Sequence, residues 1–426
     1  MRAAFEEPLP PGELGKAEVD AQAELSLPDL IAEVQSRNPS LQAMAAAWQS
    51  AAERYPQAVS LDDPMFMAMV APASFGSDLV DPGYSLEASQ KFPWFGKRAA
   101  RGRRAQAESQ AAYHDLEDSR NRLEEMTRTA FFQYYLARRE LDLNRENQDV
   151  IRQFQKTARS KYEANQVTQQ DVLQAELESA DLERRNLELV RMDRVAIARI
   201  NTLLGKNPFC PLPPPPKQLA TPTTQFDVAQ LQELAISSRP DLAALRARVQ
   251  AAAAAVTLAD KNYYPDTEVF GKYDAMWQEN PLKPAVGVNL NVPLYRGRLD
   301  GAALEARFTV NQRRAEYEQM VLDAQYEVAA DYEQVNESHR VLQLYSDRLV
   351  PAAEQNVAAA RSNYDVNKSS FLDLAIAERR LIEIREKRED ALAAYHSRFA
   401  ELTRAVGGVP VTGANHVEGK IDSASE

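Results

Sequence analysis

The chain has 426 residues, 44% of them apolar and 26% charged, and a net charge of −12 from 50 basic and 62 acidic side chains. That is too charged for a bundle of membrane helices, too apolar for a disordered chain and too acidic for a nucleic-acid partner. Unbroken apolar runs such as Ala251 to Val256 fall far short of the ~20 residues a membrane-spanning helix needs, so no such helix is expected and any passage through a bilayer must be made by β-strands.

In chain order, residues 1–24 read as an extended segment, acidic and Pro-containing, without the apolar core of a signal peptide. That fits either a mature form given a new Met or a cytosolic chain. A first repeat follows at 25–207: a short helix at about 28–54, strands at about 58–73 and 84–93, and long helices at about 95–163 and 169–206. A Pro-rich linker, 208–224, separates it from a second repeat at 225–408. This has a short helix at about 228–262, strands at about 264–278 and 285–294, and long helices at about 298–363 and 369–406. A tail, 409–426, closes the chain.

The duplication rests on four matches. Arg37-Asn38-Pro39 recurs as Ser238-Arg239-Pro240, Phe92-Pro93-Trp94-Phe95 as Val292-Pro293-Leu294-Tyr295, Tyr162-Glu163-Ala164-Asn165 as Tyr364-Asp365-Val366-Asn367, and Leu204-Gly205 as Val406-Gly407. Their separations of 200 to 202 residues are nearly constant, which is the mark of an internal repeat. Residues 94–207 hold no proline, and Val321, Val328, Val335, Leu342 and Leu349 stand seven apart, a seam for helices packed side by side. Pro351 is expected to bend its helix. Asn165 and Asn367 suit left-handed helix ends, with Thr168 and Ser369 or Ser370 as caps for the returning helices.

The strands alternate. Val286, Val288, Leu290 and Val292 share one side, with Gly287, Asn289 and Asn291 on the other. Runs of about ten residues with this pattern fit a membrane barrel with a wet lumen, and equally a soluble half-buried sheet. Four strands cannot close a barrel, and open edges are not tolerated in hydrocarbon. Embedded strands would therefore have to be pooled by several chains. In the first strand, Met65, Met67 and Met69 lie at strand spacing. Their thioethers are soft ligands suited to Cu(I), but ordinary lipid- or core-facing packing is the favoured reading. After the second strand, Trp94, Phe95, Lys97, Arg98 and Arg101 form a basic and aromatic cluster. It reads as an anchor at the membrane interface against outer-membrane lipid, or as a solvated helix start.

Enzymatic chemistry finds no support. Cys210 is the only cysteine, and His114, His339, His396 and His416 share no i, i+4 spacing, so a disulfide and a helical zinc motif are excluded. No Gly-rich phosphate loop or nucleophile elbow is present, and no cofactor is expected.

In this duplicated order, in the junction Ser89-Gln90-Lys91-Phe92-Pro93-Trp94-Phe95-Gly96-Lys97-Arg98 and in the Tyr-x-x-Asn turns followed by Asp171 or Asp373, the chain resembles the TolC-like outer-membrane efflux proteins over about residues 25–408. The junction is similar to that of the branch serving heavy-metal resistance-nodulation-division pumps. The resemblance implies a mainly α fold with a small β part: duplicated long antiparallel helical hairpins, and four strands given to a trimeric, twelve-stranded outer-membrane β-barrel above a periplasmic α-barrel. It implies a homotrimer that docks on a periplasmic adaptor (membrane fusion) protein and an inner-membrane transporter. In that setting the chain is a passive exit duct for metal cations or drugs. It also places the closure machinery at the tip turns. Asp373 falls at the position of an acidic ring, and Asp171 and Tyr364 at positions of a hydrogen-bonding network, with Tyr162, Asn165 and Asn367 in the matched turns. The chain departs from that pattern at Ser369, where an arginine would bridge to the next helix pair and Lys368 is the nearest substitute, and at Ile376, which replaces a second ring acid. The competing function is a soluble coiled-coil scaffold or adaptor that binds partners through its helical hairpins.

Overall fold

The computed structural model describes residues 24–76, 81–164, 167–220, 227–276, 279–366, 368–369 and 371–408. Three short helices open the chain: α1 (Leu27–Arg37), α2 (Pro39–Ala52) and α3 (Arg54–Val59). Strands β1 (Met65–Val70) and β2 (Tyr84–Phe92) lead into the long helices α4 (Lys97–Glu163) and α5 (Gln169–Leu203). The second copy runs α6 (Val228–Ser238), α7 (Pro240–Lys261), β3 (Asp266–Asp274), β4 (Pro284–Asn291), α8 (Arg296–Leu344), α9 (Val350–Asp365) and α10 (Phe371–Ala405). With 67 residues in α4, that helix alone is about 100 Å of rod at ~1.5 Å per residue.

Each short helix expected as one piece is two or more, and proline is the reason. Pro39 and Pro240 push the preceding residue out of the helical region. Asn38 sits at φ −66°, ψ 120° and Arg239 at φ −65°, ψ 122°, so the helix stops and restarts at the proline. The first strand is shorter than expected: α3 runs on to Val59 before it, and a 3-10 turn at Pro72–Ser74 follows it. Pro351 leaves a more specific trace than a bend. Tyr345–Leu349 form a π-turn, closed by Val350 N–H to the Tyr345 carbonyl, immediately before Pro351 near the start of α9. The wider turn accommodates the proline ring and its missing N–H.

The chain divides into two compact units. One comprises residues 1–38, 123–224 and 333–401 and, among its described residues, has helices and no strand. Its core holds the fully buried Phe131, Tyr134, Leu189, Ile200 and Tyr395. The other comprises 39–122, 225–332 and 402–426 and contains the sheet. Its helical core is rich in alanine, with Ala100, Ala244, Ala303 and Ala405 buried beside Leu242, Leu402 and Val406. Small residues let helix backbones approach closely. Against the expectation from apolar runs, α7 is long and apolar enough to cross a membrane by length and composition. Its buried Leu242, Ala244 and Ala247 and the ion pair from Arg248 to Asp115 at 2.6 Å mark it as a packed helix of this unit.

The sheet is antiparallel throughout, in the order β1-β2-β3-β4. The two copies thus supply two strands each to one continuous surface.

Candidate functional site

Register assigns every strand residue to a face. Phe66 pairs with Ala88, Leu86 with Tyr273, and Gly271 with Val286. One face therefore carries Phe66, Val70, Leu86, Val269, Tyr273, Val286, Val288 and Leu290, and is mainly apolar, with Gln90 and Thr267 also on it. The other carries Ser85, Glu87, Ser89, Glu268, Lys272, Asn289 and Asn291. On it Ser89 donates to Glu268 at 2.7 Å, and Lys272 pairs with Asp274 at 2.8 Å. The apolar face is bare, with Phe66 80% and Val286 90% exposed. Strands β1 and β4 are each paired along one edge only among the described residues.

The same register places Met65, Met67 and Met69. They pair with Ser89, Glu87 and Ser85, and so share the polar face of the sheet. Alternation within β1 is blind to this, because Met65-Phe66-Met67-Ala68-Met69-Val70 is apolar at every position. The partner strand decides.

At the exit of β2, Trp94 stacks on Tyr264 with ring centroids 5.3 Å apart, and its backbone N–H donates to Asp266 at 2.9 Å. Lys97 is buried there. Its Nζ lies 2.8 Å from Asp266 and donates to the Tyr264 carbonyl at 3.1 Å. Lys97 is therefore a lock between the start of α4 and the start of β3, and is not available to lipid headgroups. Arg98 donates to the Val59 carbonyl, and Arg101 is half-buried. Phe95 is 84% exposed. Leu294 and Tyr295, by the 200-residue repeat the counterparts of Trp94 and Phe95, are exposed as well.

At the turn between α4 and α5, the Thr168 N–H and hydroxyl both donate to Asp171, at 2.9 and 2.8 Å. Asp171 thus caps its own helix. Tyr364 is buried with Ile151, Phe154, Ala175 and Leu374, and Lys161 Nζ stands 3.7 Å from its ring centroid. This cation–π contact ties α4 to α9 near the tip, and no motif in the sequence announced Lys161. Tyr162, Lys368 and Asp373 are exposed. Asn165 and Asn367 lie outside the described residues.

Deeper in the helical unit, burial pushes the Glu140 carboxyl up to about 7 against the lowering effect of Arg185, 3.5 Å away, with Asp390 and Glu386 raising it further. Burial likewise pushes His396 down to about 4, beside Phe132 at 4.8 Å between ring centroids. Among the described residues no group of three or more His, Cys, Asp or Glu side chains could hold a metal ion.

An open sheet with one apolar and one polar face, fed by two pairs of very long helices, is the fold of the outer-membrane channels. VceC of Vibrio cholerae is similar at 22% identity and TM-score 0.74, with 89% of this chain and 96% of that one covered. CusC is similar at 17% identity and TM-score 0.76, covering 90% and 92%. The open state of the Neisseria gonorrhoeae MtrE outer membrane channel is similar at 17% identity and TM-score 0.74, covering 89% and 88%. The search of curated proteins found no match. The profile of the outer membrane efflux protein family matches residues 30–206 and 231–408, and the chain belongs to that family. The two matched segments coincide with two copies of one pattern, and the family's class is transport by an efflux channel.

Proposed function

We propose that the protein is the outer-membrane exit duct of a tripartite efflux system. Three copies pool their strands into one closed barrel and their helices into a periplasmic conduit. An inner-membrane transporter, reached through a periplasmic adaptor, drives metal cations or drugs into it. The carrying observation is the sheet itself: one apolar and one polar face, with the outer edges of β1 and β4 unpaired among the described residues. Joined edge to edge, such sheets satisfy their backbone in lipid, put the apolar face outward and enclose water. A soluble coiled-coil scaffold has no use for a bare apolar sheet face.

The tip is the proposed gate. Asp373 in the first turn of α10 supplies the charge that three copies would converge on the axis, with Lys368 nearby. Asp171, Tyr162 and Tyr364, together with Asn165 and Asn367, shape the turns. Phe95, Trp94, Arg98 and Arg101 serve as the interface band. Purified full-length protein in detergent is expected to run as a trimer and to give stepwise currents in planar bilayers. Asp373→Asn is expected to lower its preference for cations over anions. Folded protein that stays monomeric and never conducts would overturn the reading.

A further inference from the structure

We propose that Met65, Met67 and Met69 form a binding row for soft monovalent cations, Cu(I) or Ag(I), on the wet face of the sheet. The inference rests on the duct reading for the wetness of that face, and it deepens that reading by naming one class of cargo. The register sets the three thioethers opposite Ser89, Glu87 and Ser85, on the face shared with Glu268 and Lys272. Phe66, Ala68 and Val70 already supply β1 with its apolar side, so insertion into lipid does not call for the methionines. They are 66, 54 and 52% exposed, and apolar groups left in water gain nothing from the hydrophobic effect. Phe270, the other large apolar side chain on the polar face, is accounted for differently. Its ring occupies the place a Cβ would take at Gly287.

The chemistry of the row is selective. Neighbouring methionines stand about 7 Å apart along a strand, and their unbranched side chains have three rotatable bonds, enough for two sulfurs to meet on one ion. Thioethers carry no titrating proton, and their softness favours Cu(I) and Ag(I) over Zn(II), Mg(II) or Ca(II). Glu87, paired with the central Met67, contributes negative charge beside the row. Three sulfurs in file offer two overlapping two-sulfur positions, so an ion can pass from one pair to the next without being released.

The test uses full-length protein in detergent in a Cys210→Ala background, which removes the one thiol that would compete. Retention of Ag(I) is measured by equilibrium dialysis with elemental analysis, with Zn(II) as the control ion. The parent is expected to hold Ag(I) but not Zn(II). The Met65→Leu, Met67→Leu, Met69→Leu triple variant, close in volume, is expected to bind more than about tenfold more weakly with unchanged thermal unfolding. Glu87→Gln is expected to weaken binding severalfold. Equal Ag(I) retention by the triple-Leu variant, or none by the parent, overturns the site. Bilayer conductance of the same preparations separates the two readings. Channels that conduct but hold no Ag(I) sink the cation row alone, whereas protein that holds Ag(I) but never conducts sinks the duct.

Discussion

The two copies meet the same backbone problem with different chemistry. In each, a helix stops before a proline, and the last long helix of the copy ends at a glycine in the left-handed region, Gly205 at φ +65° and Gly407 at φ +92°. The closing hydrogen bonds match pair for pair: Gly205 to Thr202 and Lys206 to Asn201 in the first copy, Gly407 to Arg404 and Gly408 to Thr403 in the second. One helix-end carbonyl remains to be satisfied in each. Asn38 donates to the Leu203 carbonyl at 2.9 Å with a neutral amide. Arg239 donates to the Ala405 carbonyl at 3.1 Å, and its buried guanidinium also binds Asp241 and Glu327 at 2.8 and 2.6 Å. What the repeat keeps is the acceptor that must be filled. The donor is free to change, provided its own charge is answered.

The difference predicts unequal fragility. Arg239→Ala takes the guanidinium from Asp241 and from the Ala405 carbonyl in a buried place, while Glu327 keeps Arg404 at 3.1 Å, and is expected to cost about 3–5 kcal/mol. Asn38→Ala is expected to cost about 1–3 kcal/mol. Denaturant unfolding checks both, and equal losses would break the comparison. The glycines sharpen it. A Cβ at Gly407 would sit 2.8 Å from the Ser238 carbonyl carbon, so Gly407→Ala adds a clash to strain and is expected to lose ~3 kcal/mol. Gly205→Ala, judged on its backbone angle alone, is expected to lose ~1 kcal/mol.

Acid should find the charged joint first. Burial favours the neutral form of Asp241, but the hydrogen bond and charge of Arg239 outweigh it and hold the carboxyl below its usual value. A folded-state pKa below the unfolded one gives stability that is complete above pH 3.8 and lost as pH falls through the folded value. Thermal unfolding of Asp241→Asn is expected to lack that acid limb, while Asn38→Ala keeps it. The smallest effect lies at the first tip. Asp171→Asn weakens the cap with Thr168 by about 0.5–1 kcal/mol, which should be read as faster amide exchange at the start of α5 with little change in global unfolding.

Much of the fold was legible because it is periodic. The repeat, the heptads of α8 and the alternation of β3 and β4 belong to patterns longer than any one residue, and the mainly helical architecture with a small sheet follows from them. The splits at Pro39 and Pro240 were missed, because each segment is periodic across its proline and only the rule that proline restricts its predecessor marks the break. The candidate site was less legible. Lys97 looks like any member of a basic run until Asp266, 169 residues away, closes on it. The methionine face depends on a partner strand, and the contact between Lys161 and Tyr364 depends on two helices far apart in sequence. Such pairings are tertiary, and no local period encodes them.

The π-turn at Tyr345–Leu349 reconciles two rulers. In α8 the buried positions Ala324, Val328, Val335 and Leu342 keep one heptad frame. Beyond the turn, Ala353, Val357, Ala360 and Tyr364 repeat that frame one residue late. The copies themselves drift in the same stretch, from a separation of 200 residues at Phe92 and Val292 to 202 at Tyr162 and Tyr364. The turn absorbs one of those two surplus residues, so a duplicated rod could lengthen by a single amino acid while still presenting Tyr364 to the same neighbours.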